Sequence, residues 1–199
     1  MQAMNRIVIA TQNPGKLREF ATLLQPFDFE AVPQDAFGVS EAEEPHATFV
    51  ENALAKARHA AQATGLPALA DDSGLCVLAL NGAPGIYSAR YAGEPKSDQR
   101  NNDKLIEELK GHAERRAFYY SALVLVMRPD DPHPLIAEGE WCGEVIDAPR
   151  GTGGFGYDPY FYLPEFGLTA AEIAPDIKNR VSHRGKALQA LAEKLRVRR

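Results

Sequence analysis

The pair Asp71-Asp72 in Ala70-Asp71-Asp72-Ser73-Gly74 is the strongest chemical signal in this 199-residue chain. It lies between the apolar runs Ala68-Leu69-Ala70 and Leu75 to Leu80. Adjacent carboxylates repel, and both are rarely buried without partners. A divalent metal is the natural partner, because hard cations take carboxylate oxygens. A surface Asx turn capped by Ser73 uses the same residues without chemistry. Glu41-Ala42-Glu43-Glu44-Pro45 is a second acidic cluster, whose plain reading is a solvated loop.

Three further segments suit a phosphorylated ligand. The strand-like Ile7-Val8-Ile9-Ala10 enters Thr11-Gln12-Asn13-Pro14-Gly15-Lys16. A Walker loop needs glycine five positions before Gly15 and Ser or Thr after the lysine, where Ala10 and Leu17 stand, so it is excluded. A tight turn into a helix N-terminus still offers N–H groups and a positive dipole end, and Lys16 adds a cation. Gly151-Thr152-Gly153-Gly154-Phe155-Gly156 matches G-x-G-x-x-G but leads to Tyr157-Asp158-Pro159. A dinucleotide fold needs that motif to open a helix, so this is a loop returning to a strand. Its glycines allow close backbone approach to a flat ligand, and Phe155 can stack. Lys178-Asn179-Arg180-Val181-Ser182-His183-Arg184 puts cations at the start of the last helix, where the dipole disfavours them. An anionic or carbonyl-bearing ligand would explain them. Together these segments describe a nucleotide phosphohydrolase.

Elements must carry these residues. Apolar spacing predicts a helix from Lys16 through Leu24 and a strand from Phe27 to Val32. Thr48-Phe49-Val50-Glu51 has the capping-box form and opens an alanine-rich helix that stops at Gly65. Ala68-Leu69-Ala70 leads to Asp71 to Gly74, Leu75 to Leu80 reads as another apolar strand, and Asn81 to Gly93 as irregular. Ser97 caps a helix to Lys110, and Phe118 to Met127 is the longest strand. Leu135 to Ala137 and Trp141 to Ile146 read as hairpin strands, Thr169 to Ala174 as a short capped helix, and Arg184 to Arg196 as a terminal helix. No repeat or long linker interrupts this α/β order, so residues 1–199 read as one domain with a mixed sheet covered by helices.

Composition narrows the partners. With 22 Lys plus Arg against 27 Asp plus Glu, the net charge is −5. Nucleic acid is a poor partner for such a chain, since backbone binding rests on many basic phosphate contacts. No apolar run approaches the roughly 20 residues that span a bilayer. The short polar start, Met1 to Arg6, does not read as a signal peptide. Cys76 and Cys142 match no zinc spacing and read as buried free thiols, which fits a reducing cytoplasm.

Six blocks together resemble the inosine/xanthosine triphosphate pyrophosphatase family. They are Thr11-x-Asn13-x-x-Lys16, Thr48-Phe49-x-Glu51-Asn52-Ala53, Ala70 to Gly74, Gly82 to Tyr91, Gly151 to Pro159 and Ser182-His183-Arg184-Gly185. They occur in family order across nearly the whole chain. The resemblance implies a homodimer with an elongated mixed β-sheet flanked by helices, two lobes lying around a central nucleotide-binding cleft. It implies hydrolysis of ITP, dITP and XTP to monophosphate and pyrophosphate with Mg²⁺, which removes deaminated purines from the nucleotide pool.

Residue by residue, the resemblance makes Asp72 the water-activating carboxylate, with Asp71 beside it. Asp72 and Glu43 or Glu44 become the metal-associated acids. That choice stays open, because His46 stands where the family usually has glycine. Thr11, Gln12, Asn13, Pro14, Gly15 and Lys16 become the phosphate turn, with Lys56 and Ser73 also on substrate. Phe155, Gly156, Tyr157, Asp158, Lys178, His183 and Arg184 become the base pocket. A donor such as Arg184 or a backbone N–H would favour a 6-oxo purine over adenine, whose 6-amino group donates. Two rivals are a related-fold pyrophosphatase for other modified nucleotides and a non-enzymatic nucleotide-binding protein.

Overall fold

Ile7, Val8 and Ile9 are fully buried, so the first strand, β1 (Asn5–Ile9), is covered on both faces. That burial accounts for its continuous β-branched run. It pairs in parallel with β2 (Phe29–Pro33), Ile7 opposite Ala31, and with β3 (Ala68–Val77), Ile9 opposite Leu69. The computed structural model describes residues 5–197; the polar start Met1–Met4 lies outside them. Four more strands follow: β4 (Arg116–Val126), β5 (Leu135–Val145), β6 (Phe161–Leu163) and β7 (Leu168–Thr169). The sheet order is β2-β1-β3-β4-β5-β6-β7. The β5–β6 and β6–β7 pairs are antiparallel, so the sheet is mixed, as the α/β reading expected.

Helices α1 (Pro14–Leu24), α2 (Phe49–Thr64), α3 (Asp98–Glu108), α4 (Pro175–Val181) and α5 (His183–Val197) complete the chain. Their starts obey local chemistry. Thr48 Oγ1 accepts the Glu51 N–H at 3.2 Å to open α2, and Gly65, at φ 69°, closes it. Ser97 Oγ does the same for α3 through the Arg100 N–H.

The chain divides into two compact units. The first holds described residues 5–72, 122–138 and 187–197. Its core packs Phe20 and Leu24 of α1 with Ile7, Ile9 and Leu69, and Leu191 and Leu195 of α5 with Leu123 and Leu125. The second holds residues 73–121 and 139–186, built on Leu75, Leu105, Tyr119, Trp141 and Phe161. Among the described residues, no helix is long and apolar enough to cross a membrane.

Three expected elements are corrected. The alternative of a surface Asx turn at Asp71 to Gly74 is excluded, and the strand from Leu75 begins earlier: β3 runs unbroken from Ala68 to Val77. Leu135 to Val145 is one strand rather than a hairpin, since Leu135, Ala137, Gly139 and Trp141 alternate as its buried side without a break. Thr169 to Ala174 forms no helix. Glu172 does accept the Thr169 N–H at 2.8 Å, but Pro175 bars Ala174 from helical geometry and starts α4 instead.

The cysteines also divide. Both are free, yet Cys142 is exposed and only Cys76 is buried. Burial, with the Glu140 charge nearby, pushes the Cys76 thiol up to about 11. Because the thiolate is the reactive species, a disulfide reagent at pH 8 should titrate one thiol in the native protein and two after unfolding. Two fast native thiols would contradict the burial of Cys76.

Candidate active site

Strand alternation turns neighbouring side chains to opposite faces, and β3 applies this to Asp71 and Asp72. Each meets a lysine from a different helix. Lys16 Nζ, in the first turn of α1, donates to Asp71 Oδ2 at 2.6 Å. Lys56 Nζ of α2 lies 3.4 Å from Asp72 Oδ1 and 2.8 Å from Glu44 Oε1. The aspartates are 2% and 8% exposed, so the ammonium groups are what make their burial tolerable. The sequence reading assigned that task to a metal. Among the described residues, no three His, Cys, Asp or Glu side chains converge as a metal cage.

Electrostatics separates the partners. Burial raises the Asp72 pKa, and Glu44 and Asp71 add to that; Lys56 and a hydrogen bond from Asn52 offset only part. Burial opposes the Lys56 charge, but Asp72, Asp71 and Glu44 outweigh it and leave its pKa above the ordinary lysine value. Asp72 is therefore a carboxylate held ready for a proton beside an ammonium that keeps its own.

Asn52 was not singled out from the sequence as a site residue. Fully buried on α2, it accepts the His46 N–H at 3.1 Å and donates to the His46 carbonyl at 3.4 Å. It therefore ties the acidic loop to Asp72. Its signal was a polar residue one turn before Lys56, in a stripe with Ala53, Ala57 and Ala60. Of the two candidate glutamates, Glu44 is half-buried against Lys56 and Glu43 is exposed.

The Thr11 to Lys16 turn leads into a helix as expected, with one difference. Asn13 Oδ1 caps α1 by accepting the Gly15 and Lys16 N–H groups at 2.8 and 3.2 Å. Those donors are thus already engaged. The Asn13 N–H donates to Thr11 Oγ1 at 3.2 Å, and Gln12, Asn13 and Pro14 are exposed. Ser73 follows on β3, half-buried.

In the second unit, Phe155 and Lys178 of the predicted residues meet at Asp158, which is 4% exposed. Its Oδ2 accepts the Phe155 N–H at 2.9 Å and Lys178 Nζ at 2.5 Å. Lys178 Nζ also lies 5.6 Å from the Phe155 ring centroid. That ring is 61% exposed and so available for stacking. Gly154 has φ +74°, and a Cβ there would collide with the Asp158 carboxylate, so glycine is required. The Gly156 N–H donates to Asp98 Oδ2 at 2.8 Å, and its carbonyl accepts from Asn102 Nδ2 at 3.0 Å. The sequence reading did not single out Asp98 and Asn102, which hold this loop from α3. The Phe155 and Gly156 N–H groups are thus engaged inside the protein. Ser182 Oγ caps α5 through the Gly185 N–H at 3.2 Å, placing His183 and Arg184, both half-buried, in its first turn.

Comparison with known proteins places this arrangement. The model of the Ham1 family matches residues 7–194. The chain belongs to the Ham1 family. A dITP/XTP pyrophosphatase from Burkholderia pseudomallei is 64% identical over 196 residues, covering 97% of this chain and 94% of that protein. One from Nitrosomonas europaea is 62% identical, covering 96% and 95%. A solved HAM1 protein from Coxiella burnetii superposes with a TM-score of 0.95 at 48% identity, covering 98% and 100%. The Ham1 relationship spans both units, and so both groups of side chains.

Proposed function

We propose that this Ham1-family chain hydrolyses the deaminated purine nucleoside triphosphates ITP, dITP and XTP to the monophosphate and pyrophosphate. The observation that carries the reading is the β3 aspartate pair, each carboxylate held by a lysine from a separate helix. Lys16 and Lys56 would take the phosphates. Asp72, with its raised pKa, would accept a proton from the water attacking the α-phosphorus. The Asp158, Lys178, Phe155, His183 and Arg184 group would take the base, with Arg184 donating to its 6-oxo oxygen.

Mg²⁺ fits the first group. Asp72 and Glu44 are hard oxygen donors that share Lys56 Nζ, and Mg²⁺ is usually held by one or two carboxylates plus substrate phosphates and water. When bound, it would neutralise charge on the departing pyrophosphate. Glu44 is the better placed of the two glutamates. The further reading is a cytoplasmic homodimer acting on free nucleotides, with neither nucleic acid nor membrane as partner.

The test is pyrophosphate release across ITP, XTP, dITP, ATP, GTP and dTTP, with and without Mg²⁺. The expected result is fast release from the first three, only with the metal. Preference for dTTP would favour the related-fold pyrophosphatase for other modified nucleotides, and tight ITP binding without release would favour the non-enzymatic nucleotide-binding protein.

A further inference from the structure

Tyr119 lies on β4, inside a strand that the sequence marks only as apolar, and it touches two of the base-pocket residues at once. Its ring is stacked on the His183 imidazole, with centroids 4.8 Å apart and planes 13° from parallel. Its hydroxyl donates to the Asp158 carboxylate and accepts the Tyr157 backbone N–H. Phe161 closes the edge of the ring at 4.7 Å in a T-shaped contact. Burial, reinforced by the Asp158 charge, holds this phenol far above its usual pKa, so it stays a protonated donor.

We infer that Tyr119 is a positioning residue for purine recognition, its hydroxyl fixing the Asp158 carboxylate and its ring face fixing the plane of His183. The two contacts come from different atoms of one rigid side chain, 8% exposed and with few rotamers. Asp158 comes from the glycine-rich loop and His183 from the first turn of α5. Tyr119 therefore sets the spacing between two segments far apart in sequence. A buried polar site discriminates between bases only while its groups hold their places, because a misplaced donor or acceptor goes unmet. The inference rests on the base-pocket reading above, and the experiment separates the two.

Steady-state kinetics with ITP and ATP should be compared for Tyr119→Phe, Tyr119→Leu and Asp158→Asn, with thermal unfolding of each. Tyr119→Phe keeps the ring and loses only the hydroxyl. Its KM for ITP should rise on the order of tenfold, the size of a lost hydrogen bond to a charged group, with kcat within about threefold and the ITP:ATP preference reduced. Tyr119→Leu should raise KM further, again by on the order of tenfold. It should also move the His183 imidazole NMR signals by removing the ring current, which Tyr119→Phe retains. A raised KM in Asp158→Asn with wild-type KM and preference in Tyr119→Phe would overturn the inference and leave the pocket standing. A wild-type KM in Asp158→Asn would overturn the pocket reading itself. Unmoved His183 signals in Tyr119→Leu would overturn the stacking role.

Discussion

Asp72→Asn should slow pyrophosphate release from ITP by about 10²–10⁴, the range for losing a general base, without lowering the protein's stability. The two halves of that expectation share one cause. Burial, Glu44 and Asp71 together raise the Asp72 pKa above its ordinary 3.8 despite Lys56 and Asn52. A carboxyl with a raised folded-state pKa binds protons more readily folded than unfolded. Stability therefore falls as pH climbs from the ordinary value through the raised one. Asparagine keeps the shape and an acceptor oxygen for Lys56 but has no charge to bury. The check is thermal unfolding in EDTA at pH 7 beside ITP turnover. Wild-type turnover would end the catalytic assignment. A large fall in melting temperature would show that Asp72 acts mainly by holding Lys56.

Lys178→Ala should destabilise the second unit by about 2–4 kcal/mol and raise KM for ITP. Stripping one partner from a buried ion pair leaves the other charge uncompensated, typically at ~3–5 kcal/mol. Asp158 is the more buried partner, with its side chain 5% exposed against 19% for Lys178. The loss stays below the typical range because Phe155 N–H and the Tyr119 hydroxyl still donate to Asp158. Combining Lys178→Met with Asp158→Asn removes both charges and should return most of the stability, since neutral residues of similar volume fill such sites well. It should not return ITP affinity, which is the part owed to substrate. Urea unfolding and KM on the single and double variants check both. Recovery of KM along with stability would reduce the pair to a structural role.

Much of this site was legible because its signals are local. The cap of α2 by Thr48 and its stop at Gly65 are set by a few adjacent residues, and both formed as helix chemistry required. The failures have the opposite character. Asp71 to Gly74 has the residues of a turn, but pairing and two distant ammonium groups hold it as strand. Glu138-Gly139-Glu140 looks like a break, yet Gly139 keeps the buried alternation of β5. Thr169 to Glu172 formed the Glu172-to-Thr169 half of its predicted cap and went no further.

The sequence alone determined which residue types were present for chemistry, the order of the blocks that carry them, and the ends of the main helices. Short-range sterics and hydrogen bonds decide those features, and they can be read from neighbours. Only the tertiary structure decided the partners: Lys16 with Asp71 across 55 residues, Lys56 choosing Glu44 over Glu43, and Tyr119 joining Asp158 to His183. The physical reason is that charge compensation and ring packing depend on distance in space. Strand register and helix placement fix that distance, and both follow from burying the two cores.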